Sequence, residues 1–276
     1  MNTYKKTIFN GTRGRTAVIT GASGGIGAAF SRRLAAEGFD LVIIARRKEL
    51  LDRLAEELEA AHGVKVAAIK ADLSGAAGLR AVEKRLSAIK NIDVLVNNAG
   101  FGTRGFFADV LPEKSDGMVQ LHVAATVRLT RLLLPGMIAN RRGFVINVSS
   151  LGAFLTTSHY TVYSATKAFI NMLVLGLKDE LAGTGVRAMA ICPGLTMTGF
   201  MHTDEFNDFD YGKIPRFAWM TPEEVVDESL SALRRGAVIF IPGRGNRIFV
   251  GMLKAPVFGT IFGALLSLLG RGKNAY

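Results

Sequence analysis

The chain has 276 residues, 49% of them hydrophobic, which is enough for one large core. Its single cysteine, Cys192, excludes an intrachain disulfide, and four scattered histidines (His62, His122, His159, His202) with no Cys/His cluster argue against a metal site. The net charge of +11 sits at the two ends: residues 1–16 and 229–276 hold four and seven basic residues respectively and no acid. No nucleic-acid motif accompanies these ends, so no nucleic-acid partner is expected. Basic residues open the chain with no long apolar region behind them, which leads to the expectation of no signal peptide and a cytoplasmic, reducing location.

Ala17-Val18-Ile19 reads as a buried strand, and Ile26, Ala29, Phe30 and Leu34 recur at helical spacing up to Glu37-Gly38. Between them lies Thr20-Gly21-Ala22-Ser23-Gly24-Gly25-Ile26-Gly27, a glycine-rich strand-to-helix turn. Backbone N–H groups at such a helix start are unpaired and carry the positive end of the helix dipole, so a diphosphate is the natural ligand. The spacing differs from G-x-G-x-x-G, and Gly21 to Gly25 also fits the G-x-S-x-G of a hydrolase elbow. An elbow at the first strand, with no histidine after His202, argues against the hydrolase.

Leu41 to Ala45 is the next apolar run, followed by Arg46-Arg47. An acid at this strand end takes the ribose 2′-hydroxyl of NAD, whereas arginine accommodates the 2′-phosphate of NADP. Here there are two arginines and no acid, so NADP(H) is the expected cofactor. A helix from about Arg47 to His62 places Leu50, Leu51, Leu54 and Leu58 on one stripe, and Gly63 ends it. Val66 to Ile69 is the third strand. Asp72 and Leu73 follow, where an adenine ring could rest, although Asp72 could equally cap a helix.

A helix around Ala76 to Ala88 leads to the strand Asp93 to Val96, which ends in Asn97-Asn98-Ala99-Gly100. Strands and helices alternating in this way predict right-handed βαβ units and a Rossmann-like, doubly wound parallel α/β sheet of about seven strands with helices on both faces. Ligands of such sheets bind at the carboxyl ends of the strands.

With Thr20-Gly-x-x-x-Gly-x-Gly27 and Asn97-Asn-Ala-Gly100, the chain resembles the short-chain dehydrogenase/reductase family, in its classical members, over roughly residues 14 to 243. The resemblance implies that the first motif, with Gly21, Ser23, Gly25, Ile26 and Gly27, holds the cofactor diphosphate. It implies that the second, with Asn98, Ala99 and Gly100, stabilises the sheet beside the cofactor. The family pattern also has an Asn on the following long helix, supporting a proton-relay water. This chain has His122 there, in Leu121-His122-Val123. A histidine can donate, accept and titrate near neutral pH, so His122 is either a catalytic relay group or a satisfied core histidine.

Phe144 to Val148 is the fifth strand, with Ser149-Ser150 at its end, and Tyr163-Ser-Ala-Thr-Lys167 opens a helix running to about Gly183. Tyr163 and Lys167 are four apart and share a helix face; Tyr160 lies seven from Lys167 and is the weaker candidate. A phenol of pKa ~10 is a poor base at neutral pH, but an adjacent ammonium favours its phenolate, which suits general acid–base catalysis. The resemblance implies that Tyr163 is the acid/base and that Lys167 tunes it and holds the nicotinamide ribose. It also implies a Ser thirteen residues before the Tyr that binds the substrate oxygen, which is Ser150.

Val186 to Ile191 is the sixth strand and ends in Cys192-Pro193-Gly194-Leu195-Thr196-Met197-Thr198. The family likeness assigns Pro193, Gly194, Thr196 and Thr198 to the nicotinamide amide and phosphates, while Cys192 reads as a buried inert thiol. Residues 199–220 mix aromatics and acids with little helical period and read as a substrate lid for a lipophilic substrate. Glu223 to Arg235 is a helix and Val238 to Ile241 a seventh strand.

Three parts are therefore expected: a basic N-terminal extension at 1–13, one domain over 14–243, and an apolar, basic-flanked tail over 244–276. The tail's apolar run is shorter than the ~20 residues of a spanning helix. It suits peripheral contact with the membrane inner face, or packing on a partner subunit or over the substrate pocket. The expected activity is hydride transfer between nicotinamide and a carbonyl or secondary alcohol of fatty-acyl or steroid type, by a homo-oligomer. The alternative is a non-catalytic NADP-binding sensor or membrane-docked scaffold.

Overall fold

The computed structural model describes residue 9 and residues 11–155, 158–202 and 214–254. Within these, the strands are β1 (Thr16–Thr20), β2 (Asp40–Ala45), β3 (Val66–Lys70), β4 (Ile92–Asn97), β5 (Gly143–Val148), β6 (Val186–Ile191) and β7 (Ile239–Phe240). The helices are α1 (Gly25–Ala36), α2 (Lys48–His62), α3 (Ala76–Leu86), α4 (Pro112–Val119), α5 (Thr126–Ala139), α6 (Thr161–Glu180), α7 (Pro222–Arg234) and α8 (Arg244–Lys254). The strands form one sheet in the order β3-β2-β1-β4-β5-β6-β7, every pairing parallel. A parallel sheet must be covered on both faces, and that is why its strands read as continuous apolar runs.

Alternation along β1 divides the core. Ala17 and Ile19 join the cluster built from Phe30 and Leu34 of α1, Leu51 and Leu58 of α2 and Leu230 of α7. Val18 faces the other cluster, with Leu79 of α3, Leu129 and Leu133 of α5, and Ile170 and Val174 of α6. Burying each such side chain is worth roughly 1.5–3 kcal/mol, so both faces hold the sheet. From β1 the chain runs outward through β2 and β3, then returns to lay β4 on β1's other side. This reversal opens a crevice over the carboxyl ends of β1 and β4, where the two sequence motifs lie.

Several elements differ from the sequence expectation. β7 has two residues, and α6 begins two residues before Tyr163, so Tyr163 lies inside its first turn. The long helix after Pro112 is interrupted by a π-helical turn over Gln120–Ala125, with His122 inside it. Wide turns of this kind recur at functional sites.

The folded body also reaches beyond both expected boundaries. Phe9, expected in an extension, is buried with its ring edge-on to Phe39 and Phe144, each at 5.2 Å between centroids. At the other end, α8 starts inside the stretch read as a tail and buries Val250. The remainder of the tail, residues 255–276, and most of the expected lid, residues 203–213, lie outside the described residues.

Candidate active site

The glycine turn and the Asn motif are stitched together. Asn98 donates from Nδ2 to the carbonyls of Thr20 and Gly21 at 2.9 and 3.2 Å, and the Thr20 hydroxyl accepts from the N–H groups of Asn98 and Ala99 at 3.0 Å each. Asn97 points the other way, into the sheet, donating to Asn147 Oδ1 and Thr130 Oγ1 at 2.8 and 3.1 Å. Close approach demands glycine here. A Cβ on Gly27 would lie 2.3 Å from the Gly21 carbonyl oxygen, and one on Gly21, whose φ is +69°, would lie 2.6 Å from Asn98 Nδ2.

A diphosphate fits this turn. The first residues of α1 point their N–H groups into the crevice, and the N-cap, Gly24, supplies no side-chain bond to satisfy them. Ile26 packs on the core and fixes the helix start. Thr198 overhangs the turn from the β6 side, with its Cγ2 2.9 Å from where a Cβ of Gly25 would lie.

Arg47, the N-cap residue of α2, turns back to the glycine loop. Its Nη2 and Nε donate to Ser23 Oγ at 2.9 and 3.2 Å, and Nη2 also reaches the Ser23 carbonyl at 3.3 Å. Arg46 is exposed alongside it and acts electrostatically on Asp72. Asp72 is not a helix cap: its Oδ1 accepts from the Ser74 N–H and hydroxyl in an Asx turn, and Gly75 precedes α3. Burial works to raise the Asp72 carboxyl pKa, but the Ser74 bonds and Arg46 outweigh it and leave it lowered. Leu73 turns its side chain into the core, 5% exposed and clustered with Leu79 and Val82 of α3.

Ser150, Tyr163 and Lys167 meet at the carboxyl end of β5. Ser150 Oγ accepts from the Gly152 N–H at 3.0 Å, and it lies beside the Tyr163 ring: a Cβ on Gly152 would sit 3.4 Å from Ser150 Oγ and 3.3 Å from Tyr163 Cε1. The neighbouring Ser149 is committed elsewhere, donating to the Lys167 carbonyl at 2.9 Å. Lys167, one turn along α6 from Tyr163, donates to the Val148 carbonyl at 2.9 Å and lies 5.6 Å from the phenol ring centroid. Tyr160 is the N-cap residue of α6 and acts on Tyr163 electrostatically, raising its pKa.

The electrostatics differ from the sequence reading in one respect. Burial raises the Tyr163 pKa above its ordinary value despite the nearby Ser150 hydroxyl, so the phenol is neutral in the cofactor-free site. Burial also lowers Lys167 to about 8, which leaves it charged at neutral pH.

His122 is 1% exposed. Its Nε2 accepts from the Phe101 N–H at 3.2 Å, and its Nδ1 lies 2.9 Å from Thr166 Oγ1. Burial, then the charge of Lys167, depress its pKa well below the ordinary histidine value. Cys192 is wholly buried, donates to Asn171 Oδ1 at 3.4 Å, and is pushed up to about 11 by burial, so it stays a thiol.

On the far wall, the Pro193 carbonyl accepts from the Leu151 N–H at 2.9 Å, tying the turn after β6 to the residues beside Ser150. Thr196 Oγ1 donates to the Gly194 carbonyl at 3.1 Å. The segment expected as a lid is pinned at its base, where Met197 and Leu195 exchange backbone bonds with Met220 at 2.9 and 3.0 Å. Phe200 brings its ring within 6.1 Å of Tyr163.

Three contributors were not singled out from the sequence. Thr166 is three residues from Tyr163 on the same helix face, a spacing that marks it in hindsight. Phe101 acts through its backbone, which no side-chain pattern reveals. Asn246 of α8 lies against Gly194, 2.7 Å from where a Cβ there would be; nothing in its own neighbourhood points to that turn.

Known proteins share this architecture. YmfI of Bacillus subtilis (strain 168), an uncharacterized oxidoreductase, is 37% identical over 226 residues, covering 81% of this chain and 93% of its own length. A very-long-chain 3-oxoacyl-CoA reductase of Anas platyrhynchos is 32% identical, covering 80% and 69%. Among solved structures, a short-chain dehydrogenase from Sphingobium yanoikuyae in complex with NADPH is 33% identical with a TM-score of 0.77, covering 95% and 97% of the two chains. A 7beta-hydroxysteroid dehydrogenase is 28% identical with a TM-score of 0.84, covering 93% and 98%. A family model described as short chain dehydrogenase matches residues 15–207, the span that carries the glycine turn, the Asn motif and the Ser150, Tyr163 and Lys167 cluster. The chain thus belongs to the short-chain dehydrogenase/reductase family of nicotinamide-dependent oxidoreductases.

Proposed function

We propose that this protein is an NADP(H)-dependent reductase of a lipophilic ketone, with Tyr163 as its general acid. The observation that carries the reading is the packing of Ser150 Oγ against the Tyr163 ring, with Lys167 Nζ 5.6 Å from that ring's centroid. Two hydroxyls held together can grip one carbonyl oxygen, and the buried, neutral phenol can donate to it. When bound, the cofactor supplies the hydride to the carbonyl carbon. The carbonyl π electrons move onto oxygen, which takes the Tyr163 proton; the product is the secondary alcohol, and solvent reprotonates the phenolate. Lys167, charged at neutral pH, stabilises that phenolate and offers its ammonium to the ribose.

Preference for the 2′-phosphate rests on Arg46 and Arg47, which follow β2 with no acid at that strand end, and on Ser23 of the glycine turn, which Arg47 bonds. Support for a lipophilic substrate comes from Phe200 beside Tyr163 and from Phe106 and Phe107, 50% and 69% exposed on the loop after the Asn motif. Relatives named for 3-oxoacyl-CoA and hydroxysteroid substrates point the same way. Homo-oligomerisation belongs to the same reading, since Phe169, Met172 and Leu175 stay exposed on α6; light scattering tests it. Peripheral membrane contact is proposed for the segment beyond Lys254.

The test is cofactor oxidation by purified protein over 3-oxoacyl thioesters, ketosteroids and small ketones, with NADPH and NADH in parallel. Turnover with NADPH on the larger ketones is expected. Tight NADPH binding with no turnover across the panel would favour the non-catalytic sensor or scaffold.

A further inference from the structure

The His122 ring has a fixed hydrogen-bonding direction. The Phe101 N–H can only donate, so Nε2 must present its lone pair. The ring proton is then on Nδ1 and donates to Thr166 Oγ1, whose own proton goes to the Tyr163 carbonyl at 2.8 Å. The chain of bonds runs one way, from the turn after β4 to the helix that carries Tyr163 and Lys167. Protonating Nε2 would break the Phe101 bond and place a cation in a site that already faces the Lys167 ammonium. Among the described residues, Tyr163 also faces the ring, edge-on at 5.9 Å between centroids.

Space is as tight as the bonding. A Cβ on Gly100 would sit 2.8 Å from His122 Nε2 and 3.6 Å from Lys167 Nζ, so the three groups are packed against one another. The π-helical turn carries the imidazole to this place.

We infer that His122 is a positioning residue and not a proton carrier: its imidazole is a one-way brace that holds the Gly100–Phe101 turn against Thr166, and through it the catalytic face of α6. This rests on the reductase reading for its purpose but not for its geometry. Protons that replenish Tyr163 therefore bypass the imidazole. The brace sets where Lys167 stands relative to the cofactor crevice.

Two measurements test this. The first is a long-range proton–nitrogen NMR spectrum of the full-length, cofactor-free protein labelled with nitrogen-15 histidine, the His122 signal being identified by its loss in His122→Asn. A ring protonated on Nδ1 alone, unchanged as pH passes the ordinary histidine range near ~6.5, is expected. Titration of the ring in that range, or a proton on Nε2, overturns the inference.

The second is NADPH affinity, by fluorescence titration, in wild type, His122→Phe, Thr166→Val and the double variant. Loss of a brace bond should weaken binding by roughly fivefold in each single variant, with the double variant no weaker than the worse single. Additive losses, or wild-type affinity in both singles, contradict a shared brace. If wild type itself binds no NADPH, the reductase reading fails, while the NMR result still decides the direction of the imidazole.

Discussion

Replacing Lys167 with Met in the cofactor-free protein should change how stability depends on pH. Lys167 is 5% exposed and its ammonium donates to the Val148 carbonyl; burial brings its pKa from 10.5 to about 8. That difference corresponds to about 3 kcal/mol of charge-burial cost in the folded state. Below about pH 8 the folded and unfolded chains both hold the proton and the whole cost is felt. Between about 8 and 10.5 the folded protein releases it first, so stability rises with pH. The Met variant lacks this group and also leaves the Val148 carbonyl without its donor, which adds a constant offset. The stability of wild type minus that of the variant should therefore climb by about 2.5 kcal/mol between about pH 7 and about pH 10. Urea unfolding followed by circular dichroism at a series of pH values measures it. A flat difference would show that Lys167 is hydrated in the empty site, and would remove the reason to expect a charge-tuned Tyr163.

Other parts of the site make separate predictions. Arg47→Asp should raise the NADPH dissociation constant relative to that of NADH by roughly 10–100-fold at low salt and by less at high salt, in fluorescence titrations; an unchanged ratio would detach Arg47 from the 2′-phosphate. Gly27→Ala should lower the melting temperature and abolish tight NADPH binding, because its Cβ would meet the Gly21 carbonyl oxygen at 2.3 Å; unchanged values for both would refute the packing argument. A chain ending at Lys254 should keep its NADPH affinity, because α8 and Asn246 remain. It should also lose the flotation with anionic vesicles expected of the full chain, and retained flotation would move the contact elsewhere.

The fold was legible because two signals repeat along the chain. Apolar runs of strand length alternate with helical stripes such as Leu51, Leu54 and Leu58, and each run ends in a motif at the same edge of the sheet. The pairing of Tyr163 with Lys167 was legible because a helix fixes which residues share a face. What escaped depends on distant chain. The direction of the His122 ring is set by Phe101 and Thr166, 21 and 44 residues away. Burial, which no local pattern reports, raises the Tyr163 pKa, so the phenol is neutral where the Tyr–Lys spacing alone suggested a phenolate. Likewise, Arg47 read as a 2′-phosphate ligand from its position, and only the folded turn shows it bonded to Ser23. Burial on the outer side of positions 13 and 243 was hidden for a related reason: composition marks charge, whereas the burial of Phe9 depends on Phe39 and Phe144, which are distant in sequence.

The central claim, that Tyr163 gives the proton while the crevice holds NADPH, is tested most directly by comparing wild type with Tyr163→Phe on a ketone that wild type reduces. Loss of kcat on the order of 10²- to 10⁴-fold with NADPH affinity held within a few-fold is the predicted result. Substantial turnover by the Phe variant, with the same ketone and cofactor, would contradict the account.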